Sequence, residues 1–304
     1  MSNQYPIGTP GTPWSDEQKQ AWYQQQQRQR SYHTDVARRV NALSNICVVE
    51  EYGVLAYDAD NYPLFALKNK NYNPAHATIL ITGGVHGYET SGVLGALAFV
   101  ERFIEQFSDQ YNFLILPCIS PWGFETINRW NPDAIDPNRS FYKDSPAPES
   151  KLAMAYVSAY EGDIIAHIDL HETTDTDNSE FRPALAARDG KENHNWNIPD
   201  GFYLVGHTQK PEPEFQKVII DEVQKVTHIA DADENGQLIG VDLAQFGVIN
   251  YDGTKLGLCM GMTDAPFVTT TEVYPDSTNT TPTECIDGQV ASILGVLAFL
   301  ENRN

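Results

Sequence analysis

From residue 46 onward the chain alternates short apolar runs with longer amphipathic ones, and that rhythm predicts most of its elements. Segments 46–50 and 64–67 read as short strands, and the apolar run 77–82 as a buried one. Gly83 and Gly84 follow, then an apolar-periodic helix over 91–107. Further strands are predicted at 113–117, 163–170 and 266–273, with helices near 150–160 and 214–226 between them. A helix over 287–301 closes the chain, with Val290, Ile293, Leu294 and Leu297 on one face. Strands alternating with helices predict an α/β fold, a single domain on a mixed or parallel sheet. Ahead of it, residues 1–45 read as a polar, helical N-terminal extension with some apolar anchors and no assigned chemistry.

Composition changes this picture in three ways. A chain of 304 residues can bury a large single core. Its 41 acidic against 20 basic residues give a formal charge of −21, which opposes nucleic acid and an anionic membrane as partners. An anionic substrate stays compatible with that charge, because a local arginine cluster can reverse the field inside one cleft. The four cysteines, Cys47, Cys118, Cys259 and Cys285, form no CxxC pair and read as buried free thiols. No apolar stretch is expected to approach the roughly 20 residues that span a bilayer, the longest candidate lying near 93–100. The polar, Gln- and Pro-rich start lacks the pattern of a secretory signal, so a cytoplasmic location is expected.

The strongest local chemical signal is Gly83-Gly84-Val85-His86-Gly87-Tyr88-Glu89, at a strand-to-helix junction. His86 and Glu89, three residues apart, can face one point on a tight turn and so begin a zinc site. A catalytic zinc keeps three protein ligands and one open position, so a third donor must come from elsewhere. In Ile164-Ile165-Ala166-His167-Ile168-Asp169-Leu170-His171, period-two alternation puts His167, Asp169 and His171 on one face. His171, at the strand's end, is the preferred third ligand; His167, deeper in the strand, is the competing donor. Asp169 and Glu172 are candidates to orient a ligand or to hold a second metal.

Pro121-Trp122-Gly123-Phe124-Glu125, then Arg129, then Asp136-Pro137-Asn138-Arg139-Ser140-Phe141 lie between these segments. Together with the runs at 83–89 and 169–173, they resemble the zinc carboxypeptidase superfamily, which holds carboxypeptidase A-like peptidases and the succinylglutamate desuccinylase/aspartoacylase branch. The resemblance covers 86–275. It implies an α/β catalytic domain over 46–304, a mixed, mainly parallel twisted sheet flanked by helices, with one zinc per chain, a second not being excluded. It implies that Asn138 and Arg139 receive a substrate carboxylate, a role suited to a planar guanidinium. Asp136 would accept a hydrogen bond from the zinc-binding His86, and Arg129 would steady the developing oxyanion.

In Thr269-Thr270-Thr271-Glu272-Val273-Tyr274-Pro275, Glu272 matches the family's general base. Tyr251, 21 positions earlier (272 − 251), stands where peptidase members carry a substrate-binding tyrosine. The resemblance implies a metallocarboxypeptidase that hydrolyses the C-terminal amide bond of peptides. The alternative is an N-acyl amino acid deacylase; in either case the substrate carries a free carboxylate. That deacylase branch continues after its glutamate into a β-rich domain, whereas only 32 residues follow Glu272 here (304 − 272), so the peptidase is expected. A carboxylate-binding protein without catalysis would lack a ligand or the base, and none is missing.

Overall fold

The computed structural model describes residues 5–58, 60–160 and 162–303; residues 1–4 of the extension lie outside the described residues. The extension contains two short helices. α1 (Asp16–Tyr23) opens with a capping box between Ser15 and Gln18, and α2 (Arg38–Ala42) continues a π-helical turn over His33–Ala37. Its few apolar anchors join the core: Trp14, Trp22, Tyr32, Val36 and Val40 are all buried, and the Trp22 ring lies against Trp122 and Trp130.

β1 (Cys47–Val54) and β2 (Pro63–Asn69) form an antiparallel hairpin at one edge of the sheet. β3 (Thr78–Gly83) leads into α3 (Thr90–Phe107), then come β4 (Asn112–Leu116), α4 (Pro121–Thr126), α5 (Pro148–Val157) and β5 (Ile164–Glu172). α6 (Arg182–Asp189), β6 (Tyr203–His207) and α7 (Pro213–Val223) follow. A small ribbon of β7 (Gln237–Leu238) and β8 (Val241–Asp242) precedes β9 (Val248–Tyr251), β10 (Phe267–Val273) and α8 (Pro282–Glu301). The eight-stranded sheet runs β1-β2-β4-β3-β5-β10-β6-β9, and its centre, β4-β3-β5-β10, is parallel. These central strands are the apolar runs read as buried, as expected where helices cover both faces. All four cysteines are free and buried.

Several features differ from the sequence expectation. β1 runs on to Val54, past a register shift at residues 51–53. β6 and β9 were not anticipated, being only five and four residues long and interrupted by Gly206 and Asn250. The closing helix is also more deeply buried than a one-sided stripe. It packs between α3 and α7, burying Gln289, Ser292, Gly295 and Val296 as well as Val290, Ile293 and Leu297, while Leu294 is only partly buried. The expectation that no stretch approaches a membrane span is corrected here. α8 is long and apolar enough by length and composition, with a mean hydropathy of 1.4. Its apolar character is explained by helices on two sides, and it carries buried Gln289, which donates to the His171 carbonyl and to Ser91 Oγ and accepts from Thr271 Oγ1.

Candidate metal centre and active-site cleft

β3 and β5 are parallel neighbours, with Gly83 opposite Leu170, so both strands finish at the same edge of the sheet. Beyond β3 the chain must turn sharply. Gly84 takes φ +57°, and Gly87 packs so tightly that a Cβ there would stand 2.1 Å from the Ser120 carbonyl oxygen. The turn brings His86 and Glu89 up to His171, at the end of β5, and all three are buried.

Four donor atoms converge. His86 Nδ1 lies 2.8 Å from Glu89 Oε1, and His171 Nδ1 lies 2.7 Å from Glu89 Oε2. Each imidazole meets a second carboxylate on its far side, His86 Nε2 at 3.0 Å from Asp136 Oδ1 and His171 Nε2 at 2.8 Å from Asp169 Oδ2. Such carboxylates favour the proton on Nε2 and leave the Nδ1 lone pairs facing Glu89. Consistent with lone pair facing lone pair, Glu89 Oε2 has no partner of hydrogen-bond geometry despite the short approach of His171. That arrangement calls for a cation between the atoms. Two imidazole nitrogens and a carboxylate, with a side left open, fit zinc.

His167, the competing donor, lies elsewhere. Its Nε2 is 3.0 Å from the Thr82 hydroxyl, which donates to Asp169 Oδ1 at 2.6 Å. Burial pushes the imidazole down to about 4. His167, Asp169 and Cys259 form a second group of metal-type side chains, but the Thr82 hydroxyl contacts all three, and burial pushes the Cys259 thiol well up. Glu172 takes no part in either group: its carboxylate accepts from the Ser91 and Thr90 amides, capping α3 directly behind Glu89.

The donors open on a cavity of about 540 Å³ lined by Arg129, Asp136, Asn138, Arg139, Tyr251 and Glu272 among others. Glu272 stands opposite His171 in the parallel β5–β10 ladder. Its Oε2 accepts from the Thr173 hydroxyl at 2.9 Å, and enclosure by the cleft walls pushes the carboxyl up to about 8. Arg129 Nε is 3.1 Å from Asp136 Oδ2, and Nη1 is 3.6 Å from Asp177 Oδ1. Asp136 begins the 3-10 turn Pro137–Arg139 and accepts from the Asn138 amide. The Asn138 side chain is buried, with Oδ1 accepting from the Cys259 amide, while the exposed Arg139 donates to the Asn138 carbonyl. Tyr251 ends β9 on the same cleft.

One contributor had no signal in the sequence. Arg30, in the extension, lays its guanidinium 3.6 Å over the Phe124 ring. It donates to the carbonyls of Gly87, Tyr88 and Phe124 and to Thr90 Oγ1, bracing the turn that carries His86 and Glu89. A lone arginine in a polar stretch shows nothing of this without the fold.

The sequence profile of the family described as zinc carboxypeptidase matches residues 58–225, more than half of the chain. The chain belongs to that family. As a zinc carboxypeptidase family member it is a metal-dependent hydrolase. No curated protein matches it by sequence. Among solved structures, one from Shewanella amazonensis with a provisional metallopeptidase assignment superimposes with TM-score 0.64 at 18% identity, covering 88% of this chain and 92% of that one. A metallo-carboxypeptidase from Burkholderia cenocepacia gives 0.62 at 14%, covering 96% and 70%. A metallo-carboxypeptidase from Pseudomonas aeruginosa, in complex with (2-guanidinoethylmercapto)succinic acid, gives 0.59 at 15%, covering 95% and 70%. At these identities the likeness establishes the fold, the mixed sheet with flanking helices that both the family and these structures share.

Proposed function

We propose that the chain is a metallocarboxypeptidase, releasing the last residue of a peptide with zinc held by His86, Glu89 and His171. The observation that carries this reading is the meeting of His86 Nδ1, His171 Nδ1 and both Glu89 oxygens on a cleft that also holds Glu272 and Arg139. Bound there, zinc would supply Lewis acidity toward water and the scissile carbonyl. Glu272 takes the proton from the attacking water and returns it to the leaving amine, and a carboxyl poised near neutrality suits both transfers. Arg129, pinned by Asp136 and Asp177, presents fixed positive charge to the oxygen on which negative charge develops. Asn138 and Arg139 seat the substrate carboxylate, and Tyr251 closes on it from β9.

The same seat would receive an N-acyl amino acid. A cavity of about 540 Å³, in the small-molecule range, supports that second reading. A protein that only binds carboxylates would not need Glu272 beside a complete donor set.

The test is zinc content by elemental analysis together with hydrolysis of C-terminally varied peptides and N-acyl amino acids, for wild type and Glu272→Gln. Near-stoichiometric zinc in both proteins, with kcat for peptides lowered about 10²- to 10⁴-fold in the variant, is expected. Turnover confined to N-acyl amino acids would move the assignment to the deacylase; failure to take up zinc would overturn both.

A further inference from the structure

Four arginines line the cleft, and they differ in what neutralises them. Arg129 faces Asp136 and Asp177, and Arg188 lies 2.8 Å from Asp189. Arg139 and Arg182 have no carboxylate within ion-pair distance among the described residues. Arg139 donates to the Asn138 carbonyl, and Arg182, the first residue of α6, donates through Nη1 to Asn178 Oδ1 and the Asn197 carbonyl. Neutral groups thus hold Arg182 in place without cancelling its charge. In a chain of formal charge −21, two guanidiniums without a direct ion pair on one concave surface run against the composition; Asp136 and Asp177 act on them only from a distance, and both already face Arg129. Arg182, partly buried at the head of α6, keeps its charge among neutral acceptors, and the more exposed Arg139 lines the same cavity, so the cleft can receive a ligand that brings negative charge to both. Both arginines also act on the same hydroxyl: burial and Glu272 raise Tyr251, and Arg139 and Arg182 oppose them. Both cations line the cavity that also holds Tyr251 and Glu272, where one bound residue would sit. Val205, Ile239 and Leu258 supply apolar wall beside them, suited to a short methylene stem.

We propose that Arg182 is a specificity-determining residue that selects a second carboxylate on the substrate, so that the residue released is glutamate or aspartate. This rests on the reading in which Arg139 takes the α-carboxylate. A planar guanidinium accepts the side-chain carboxylate through paired N–H donors, and the isosteric amide of Gln or Asn offers neither the charge nor two acceptors. The acidic residue reaches the site either at the end of a peptide or as an N-acyl amino acid.

The experiment compares kcat/KM for benzoyl-glycyl dipeptides ending in Glu, Gln and Leu, and for N-acetyl-Glu and N-acetyl-Gln, in zinc-loaded wild type, Arg182→Gln and Arg182→Lys. The expected Glu-to-Gln ratio in wild type is roughly 100-fold. It should collapse toward unity in Arg182→Gln and be partly restored in Arg182→Lys, and whichever series is turned over identifies the source. If Arg182 only anchored the loop through Asn178 and Asn197, the loss would fall on both members of each pair and leave the ratio standing, which would overturn the proposal. A wild type that prefers Leu would do the same. Calorimetric binding of the same pairs to zinc-loaded Glu272→Gln reads the ratio without turnover. Selective Glu binding with no wild-type turnover would sink the hydrolase reading and keep the selectivity; equal Glu and Gln binding would sink the selectivity alone.

Discussion

At the scale of single residues, each imidazole of the centre lies between two carboxylates, and the outer ones decide how the inner atoms behave. Asp136 and Asp169 accept from Nε2 of His86 and His171, which turns each Nδ1 toward Glu89. Both outer carboxyls stay ionised although buried: burial raises them, but Arg129 and His86 bring Asp136 well down, and His171 brings Asp169 down. Asp169→Asn keeps the shape of the contact and removes its charge. Competition with a chromogenic chelator should show zinc affinity weakened about 10- to 100-fold, with the fold retained. Unchanged affinity would mean that Asp169 only fills space beside Thr82. His171 and His167 lie on the same face of β5, and alternation alone could not choose between them; the distance along the strand from Glu89 does.

At the scale of elements, the turn between β3 and α3 that carries His86 and Glu89 has one backbone hydrogen bond of its own, from the Glu89 amide to the His86 carbonyl, and is otherwise held from outside. Glu172 caps α3 from one side, and Arg30 reaches in from the extension on the other. Arg30→Ala would leave the Gly87, Tyr88 and Phe124 carbonyls without their charged donor. Charge-assisted hydrogen bonds are among the stronger ones, so a loss on the order of 3 kcal/mol is expected in chemical denaturation of the metal-free protein. Weaker zinc binding should accompany it. Arg30→Lys should recover only a fraction, because an ammonium cannot span acceptors spread around a planar guanidinium. Full stability in Arg30→Ala would show that the turn holds itself.

At the scale of the whole molecule, buried charge couples stability to pH through a residue far from the chemistry. Glu149, in the first turn of α5, is fully buried; Tyr57 and Asn131 donate to its two oxygens, and Asp133 lies near. Burial raises this carboxyl above its ordinary value of 4.5. The folded chain then keeps a proton that the unfolded chain has released, so stability falls as pH rises from the unfolded value through the raised folded one, and is level above it. Glu149→Gln has no proton to lose. Denaturation midpoints measured upward from pH 4.5 should therefore show wild type losing ground to the variant as pH rises, and then a constant difference. A difference independent of pH would refute the linkage.

The apolar runs and their spacing determined the central strands, the long helices and the α/β class by themselves. A strand covered on both faces is apolar over most of its length, the buried polar side chains of β5 and β10 being the exceptions, and a covering helix repeats near 3.6 residues. The candidates His86, Glu89, His171 and Glu272 stand out in the sequence by their local settings near strand ends, and the fold brings the first three together with Glu272 opposite His171. Short strands such as β6 and β9 were not, because their pairing is decided by neighbours distant in the chain. The embedding of the extension, the Arg30 brace and the unpaired charge on Arg182 likewise exist only in three dimensions. A side chain's partners are set by which elements pack together, and one-dimensional order carries no record of an arginine left without a carboxylate.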